Sequence, residues 1–330
     1  MIVKIGYRTI KTAVGTPIAI SIAQFLGLEN HVTAGILTML CIQPSRKQSV
    51  VSAWDRFLAS IIASLFSFFF FELFGYNTII LGIMLAFFIP TTVMLNVTQG
   101  ITTSSVIIIN LYSAQHIDYP FLFNQFMLIF VGIGVGLLVN LYMPSLDRSL
   151  KAKQKELEHY FQVILFEIAL YIRNKNMDWD GKELVSAKEL LEETLDLAEL
   201  DRENHMLRSE HTYYEYFTMR HKQFILLEKM LPLVTKLPNQ DTVSEQIADF
   251  FEKLSEAVHP GNTAIVYLNE LERLREEFLN EELPETQEEF TTRANLFRLL
   301  HEIEDYLLIK KRFKKSDLSF PKRVKKTGQS

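Results

Sequence analysis

The residues of this chain best suited to chemistry are cations and amides set among apolar neighbours. Gln43-Pro44-Ser45-Arg46-Lys47 closes one short apolar stretch and opens another, in which Arg56 follows three turns on. A helix capped by Ser45 would present free N–H groups and partial positive charge at its first turn. Arg46, Lys47 and Arg56 add fixed cations beside it, and together they form an anion-attracting mouth. The same cations also anchor the chain at a membrane surface. Gln43, Pro44, Arg46, Lys47 and Arg56 are therefore candidate lining residues of a path for a small anion. Asn96 and Gln99 join them, because they flank the bend expected after Pro90, and broken helices line binding sites in many membrane proteins. Glu72, near the outer end of a long apolar run, is a candidate for a coupling proton. A carboxylate marking the headgroup level is its simpler role. Gln24, Asn110, Asn140 and the run Thr102-Thr103-Ser104-Ser105 are further polar groups in apolar segments.

Other chemistries lack their residues. There is no phosphate-cradling glycine loop, no G-x-S-x-G, no H-E-x-x-H and no C-x-x-C. His205, His211 and His221, with Glu203 and Glu210 nearby, match no common helical metal spacing. No catalytic residue, metal, cofactor or nucleic-acid partner is expected, and the chain does not read as an enzyme. Cys41 is the single cysteine and cannot form an internal disulfide. A small buried hydrophobe is its expected role.

The elements that position these residues fall into two halves. Between Arg56 and Arg148 the chain contains no lysine or arginine, and runs such as Phe68-Phe69-Phe70-Phe71 fill the gap. Such side chains transfer favourably into hydrocarbon, whereas a lysine or arginine at mid-bilayer costs several kcal/mol. Residues 1–147 hold 6 basic and 5 acidic residues, against 28 and 34 in the remainder. Six apolar segments are marked, at 8–28, 32–43, 57–74, 77–95, 98–112 and 121–143. The second and fifth are short enough to be re-entrant or tilted. Ten basic residues lie in three clusters, at 4–11, 46–56 and 148–155, and none lies in the intervening outer loops. This positive-inside bias predicts six spans with both ends of the membrane domain, residues 1–146, in the cytoplasm. Gly15, Ala19, Ala23 and Gly27 make one small face; Ala59, Ala63 and Ser67 make another, and both predict close helix packing.

After Pro144 the pattern becomes that of soluble amphipathic helices. Leu150, Leu157, Ile164 and Tyr171 repeat every seven residues, with Phe161 and Ile168 on the same face. Helices are predicted at about 145–175, 183–207, 210–237, 242–258, 262–280 and 284–313. The fold class is all-α: a six-helix transmembrane bundle followed by a cytoplasmic helical bundle over 147–313. Residues 314–330 form a basic, disordered tail that continues the cations Lys310, Lys311 and Arg312.

A basic N-terminus, a short second helix ending in Gln43-Pro44-Ser45-Arg46-Lys47, six apolar segments and an acidic helical domain together resemble the aromatic acid exporter family, also called fusaric acid resistance protein-like. The closest type is the single-half Gram-positive form with an aromatic acid exporter C-terminal domain. The resemblance covers residues 1–320. It implies a multi-pass protein of the bacterial plasma membrane that exports aromatic carboxylates, and, since this chain has one half where many members have two, a homodimer. The expected partners are the lipid bilayer, a small organic anion and a second copy. The expected function is proton-coupled or facilitative export of small amphipathic organic anions. A membrane-anchored regulatory or scaffolding protein, acting through its cytoplasmic helices, is the alternative.

Overall fold

A computed structural model describes residues 7–115, 117–174, 179–205, 212–235, 242–259, 261, 264–280 and 283–313. The basic tail over 314–330 lies outside them, as do Glu210 and His211. Among the described residues there are twelve α-helices and no strand. The chain divides into two compact units. The first is Met1–Pro144 with Glu203–Met206; the second is Ser145–Arg202 with Leu207–Ser330.

The first unit contains α1 (Tyr7–Phe25), α2 (Val32–Cys41), α3 (Arg46–Phe74), α4 (Thr78–Met94), α5 (Ile101–Ala114) and α6 (Tyr119–Leu141). A single 3-10 turn, Thr98–Gly100, precedes α5. Side-chain caps set the starts: Ser45 Oγ accepts from the Gln48 N–H at the head of α3, Asn77 from Ile79 and Ile80 at α4, and Asp118 from Phe121 at α6. The Ser45 cap explains why α3 begins at Arg46 rather than at the apolar boundary near Phe57. Pro90 does not end α4, which runs on to Met94. The break comes at Asn96, whose φ is 57°.

This unit is inside-out compared with a water-soluble bundle. Its outward faces carry Phe25, Leu65, Phe68, Phe69, Phe87, Phe130 and Leu138. Its inward faces carry small and polar residues. On α1, Lys11, Gly15, Ala19 and Ala23 are buried at intervals of four. A Cβ on Gly132 would lie 2.6 Å from Leu37 Cβ, and one on Gly136 would lie 2.8 Å from Cys41 Cβ. Glycine there lets α6 lie against α2 backbone to backbone, and α1 packs on both. Lipid offers no hydrophobic force between helices, so small faces and close contact hold such bundles together. α3 and α6, of 29 and 23 residues, are long and apolar enough to cross a bilayer; α2 and α4 are apolar but shorter. Cys41 is buried and free, as expected of a small hydrophobe.

The second unit contains α7 (Asp147–Asn174), α8 (Lys182–Asn204, up to Arg202), α9 (Thr212–Val234), α10 (Thr242–Glu256), α11 (Ala264–Leu279) and α12 (Gln287–Arg312). Its core is conventional: Leu157, Phe161, Ile164 and Ile168 of α7 meet a common cluster with Ile247, Phe250, Phe251 and Leu254 of α10. α12 packs on α9 and α11. A capping box opens α12, with Thr286 Oγ1 accepting from the Glu289 N–H at 3.1 Å and the Glu289 carboxylate accepting from the Thr286 N–H. Arg173 at the end of α7 donates to Glu245, Asp249 and Glu252, one face of α10. Lys310, which in sequence looks like the start of the basic tail, belongs to this core and is 6% exposed.

Candidate functional site

The site is a polar seam on α3. Ser49, Ser52, Arg56, Ser60, Ser64 and Ser67 are all buried and recur every three or four residues, so they share one helix face. At 1.5 Å per residue the seam is about 27 Å long, close to the roughly 30 Å of a bilayer's hydrocarbon core. Local bonds satisfy part of it. Ser60 and Ser64 hydroxyls donate to the carbonyls of Arg56 and Ser60, at 2.6 and 2.9 Å. Arg56 Nε donates to Ser52 Oγ at 3.0 Å. Other atoms stay buried without a protein partner: Arg56 Nη1 and Ser67 Oγ on α3, Ser104 Oγ on α5, both amide atoms of Gln125 on α6 and, off the seam, Thr16 Oγ1 on α1 and Arg46 Nε at the head of α3. Buried polar atoms normally find a partner, because leaving one unmade costs about 1–3 kcal/mol. Those on α3, α5 and α6 make this part of the first unit a candidate site.

One end of the seam is tied by Asn140. Its Oδ1 accepts from Lys11 Nζ at 2.9 Å. Its Nδ2 donates to the Gln43 carbonyl at 3.1 Å, to the Ser45 carbonyl at 3.3 Å and to Ser49 Oγ. One amide thus holds α1, α6, the Gln43–Ser45 turn and α3. The Gln43 N–H adds a bond to Ser49 Oγ at 3.2 Å. Antiparallel α3 and α6 are in register at Ser49 and Asn140. Fifteen residues along each, about 22 Å, bring Gln125 to the depth of Ser64 and Ser67.

Near its middle the seam meets the break between α4 and α5. A Cβ on Gly100 would lie 2.3 Å from Ala59 Cβ, 2.6 Å from the Asp55 carbonyl and 3.2 Å from Arg56 Cα. Only glycine allows the break to press on α3 around Arg56. Thr103 Oγ1 donates to the Gly100 carbonyl at 2.8 Å. Ser104, four residues past Gly100, lies on the same face of α5 one turn further along.

The structure places the sequence candidates unevenly. Arg56 is in the seam and 6% exposed. Gln43 lies in the Asn140 knot, and its Nε2 donates to the Leu40 carbonyl. Pro44 and Lys47 are exposed. Arg46 is half-buried; its N–H donates to Asn204 Oδ1 at 3.0 Å, and its Nη1 approaches the Asn204 carbonyl at 3.4 Å. The first-turn N–H groups of Arg46 and Gln48 are therefore already occupied. Arg46 and Arg56 are also about 15 Å apart along the helix axis. Asn96 and Gln99 flank the break with exposed side chains. Glu72 is exposed and accepts from Tyr76 OH at 2.7 Å, off the seam. Asn110 Nδ2 reaches Thr33 Oγ1 at 3.4 Å, tying α5 to α2. Sequence reasoning names Ser104 but passes over Gln125 and the α3 serines other than Ser67. The available signal was a glutamine in an otherwise apolar run and serines three and four apart.

The second unit has its own buried polar cluster. Arg220, fully buried, donates from Nε to Tyr216 OH and from Nη1 to Gln223 Oε1, both at 3.0 Å. Tyr216 OH donates to Glu158 at 2.6 Å. Lys310 Nζ donates to the His259 carbonyl at 2.9 Å and to the Ala257 carbonyl at 3.5 Å, at the end of α10. Burial, helped by the charge of Arg220, pushes the Lys310 ammonium down to about 7. These bonds join α7, α9, α10 and α12 and read as a structural core.

Comparison with known proteins agrees with this division. Residues 3–143 match "Aromatic acid exporter family member 1", and residues 147–311 match "Putative aromatic acid exporter C-terminal domain". The "Uncharacterized protein YqjA" of Bacillus subtilis (strain 168) is 50% identical over 311 residues, 94% of this chain and 97% of that protein. The "UPF0421 protein YgaE" of the same organism is 27% identical over 143 residues, 43% of this chain and 40% of that protein. A solved structure, "Crystal structure of putative membrane protein from Clostridium difficile 630", has a TM-score of 0.44 and 25% identity, over 49% of this chain and 97% of that one. With both halves matched in order and a relative aligned almost end to end, the chain belongs to the aromatic acid exporter family.

Proposed function

We propose that this protein exports small organic acids, aromatic carboxylates above all, across a bacterial plasma membrane, and that the path runs along the polar face of α3. The observation that carries this reading is the seam itself: six buried polar side chains about one bilayer in length, with Arg56 Nη1 and Ser67 Oγ left without a protein partner. A bundle that needed only to anchor a soluble domain would have no use for it, since polar groups inside a membrane are costly. In this reading α1–α6 make six crossings, with the short α2, α4 and α5 completed by their loops. Arg8, Lys11, Arg46 and Lys47 face the cytoplasm, the second unit is cytoplasmic, and two copies form the working assembly. Glu72, exposed and bonded to Tyr76, lies off the seam and has no part in the path in this reading.

Efflux of radiolabelled 4-hydroxybenzoate from proteoliposomes tests the activity. Saturable efflux, absent from liposomes without protein, is the expected result. Its absence for every aromatic acid tried would return the protein to the scaffolding alternative. Single-cysteine tags on a Cys41→Ala background test the topology: tags at Asn30, Asn77 and Gln115 are labelled from outside, and tags just after Arg148 are not.

A further inference from the structure

We propose that the acidic and apolar surface at the turn between α11 and α12 is a docking site for the chain's own basic tail, residues 314–330. This docking does not depend on what the first unit transports.

Two helices build the surface. On α12, Phe290, Ala294, Phe297 and His301 are exposed at intervals of three and four, so they form one stripe. Phe278 of α11 stacks on Phe297 with ring centroids 6.4 Å apart, which sets the last turn of α11 beside that stripe. Leu279 in that turn and Leu283 after it are exposed as well, Leu283 by 88%. Large apolar side chains grouped on the surface of a bundle that already has a full core mark an interaction site.

Charge says what the site takes. Residues 276–289 hold seven acidic side chains and no basic one. Glu276 and Glu277 fall in the last turn of α11, where the helix dipole disfavours carboxylates, so they do not serve the helix that carries them. Elsewhere in this unit carboxylates are neutralised locally, by Arg173 against three on α10, by Lys253 against Glu270 and by Arg275 against Glu304. Among the described residues, Glu276, Glu277, Glu285 and Glu289 have no basic side chain within ion-pair distance. The tail complements both features. It holds six basic residues against Asp317 alone, with Leu318, Phe320 and Val324 among them.

The tail is also long enough. It leaves from a fixed point: Phe313 has extended backbone, with φ −78° and ψ 106°, and its ring packs against Tyr216. Phe297, Phe290 and Gln287 lie about 24, 35 and 39 Å back from Phe313 along α12. At about 3.3 Å per extended residue, Phe320, Val324 and Lys326 reach about 23, 36 and 43 Å. A proline after Phe320 favours the extended backbone that this path needs. Running back along α12, the tail can set Phe320 abreast of Phe297 and Val324 abreast of Phe290, with Lys325 and Lys326 at the acidic turn.

The test uses the whole chain in neutral detergent. On a Cys41→Ala background, Phe290→Cys with Val324→Cys is compared with Ile265→Cys with Val324→Cys. Ile265 is exposed at the other end of α11, which runs antiparallel to α12. A docked tail should join 290 to 324 within one chain at least tenfold faster than 265 to 324, and about 1 M salt should remove the difference. A labelled peptide of residues 314–330 is then titrated by fluorescence anisotropy. Its targets are the full chain, a chain ending at Phe313, and vesicles of equal parts phosphatidylglycerol and phosphatidylcholine. The peptide should bind the shortened chain at least tenfold more tightly than the full chain, whose site is filled. Replacing Glu276, Glu277 and Glu285 together by Gln should weaken that binding about tenfold, and Phe290→Ser about threefold. These side chains are exposed, so melting temperatures should hold. Equal cross-linking at 265 and 290, or a 290–324 bond formed only between copies, overturns the proposal. So does an affinity that falls with the glutamines but not with Phe290→Ser, since diffuse attraction then accounts for it. A peptide that binds the vesicles and not the shortened chain makes the tail a lipid anchor and also overturns it. If the shortened chain does not fold, the cross-linking comparison decides.

Discussion

Lys310 gives a quantitative handle on the second unit. Its ammonium donates to the Ala257 and His259 carbonyls at the end of α10, and it is faced by Arg220 of α9, Glu158 of α7 and His259 itself. Burial, then Arg220, lowers its pKa from 10.5 to about 7, against the pull of Glu158. The sign follows from proton counting. Below pH 7 both the folded and the unfolded chain hold this proton, and the whole cost of burying the charge is present. Between pH 7 and 10.5 the unfolded chain keeps a proton that the folded chain has released, so stability rises with pH. At about 1.4 kcal/mol per pH unit, and with the lysine half-titrated at pH 7, the gain from pH 7 to 9 is about 2 kcal/mol. For a urea slope of about 2 kcal/mol/M, the midpoint should climb by about 1 M.

That window is free of the other shifted groups in this cluster. His259 titrates below it, because burial and Lys310 lower its pKa from 6.5. Tyr216 and Tyr306 titrate above it, because burial raises both from 10.0. The assay is urea unfolding of a fragment beginning at Ser145, followed by circular dichroism at pH 7, 8 and 9. Lys310→Met should flatten the dependence. A wild-type midpoint that stays level from pH 7 to 9, or a slope that survives in Lys310→Met, would refute the reasoning.

Asn140→Leu should lower the melting temperature of the detergent-purified protein by several degrees. It strands Lys11 and unties the Gln43–Ser45 turn, a loss of about 3 kcal/mol. Arg173→Met should destabilise the Ser145 fragment by about 1–2 kcal/mol, and the difference from wild type should shrink in about 1 M salt, because the three carboxylate partners are 40–55% exposed. Gly100→Val should reduce the yield of folded protein far more than Gly134→Val. Side-chain atoms at 100 collide with Ala59 and the Asp55 backbone, whereas position 134 has nothing within 4 Å of a Cβ.

The helices were legible because their signals are local. Apolar runs, Ser45 as a cap, and the seven-residue repeat of Leu150, Leu157 and Ile164 each fix an element without knowledge of its neighbours. The break between α4 and α5 was legible in its place, between Asn96 and Gln99, but not in its cause. Pro90 costs one backbone bond that α4 tolerates, and the left-handed turn falls instead on Asn96, a residue type that accepts positive φ. Lys310 was misread for a related reason. Charge alone groups it with Lys311 and Arg312, but the spacing Leu299, Ile303, Tyr306, Leu307, Lys310 puts it on the buried stripe of α12.

The site was legible only in part, because serine carries two meanings in a membrane helix. Ala59, Ala63 and Ser67 read as a packing face, and in the structure they are buried as one. Serine is small enough to serve that role while its hydroxyl hides on the helix's own carbonyl, as at Ser60 and Ser64. Ser67 and Ser104 differ only in lacking such a bond, a property of tertiary structure with no trace in residue type. Arg56 is ambiguous in the same way. A cation ten residues into a helix that begins with Arg46-Lys47 looks like a third topological anchor. Its sequence supports the anchor and the path reading alike, and what distinguishes it from Arg46 and Lys47 is Gly100 pressing a second helix against it, so that a charge otherwise able to snorkel is enclosed. In this fold the residues that pack the bundle and those that would handle a substrate are drawn from the same small and polar types, so residue type alone does not tell them apart.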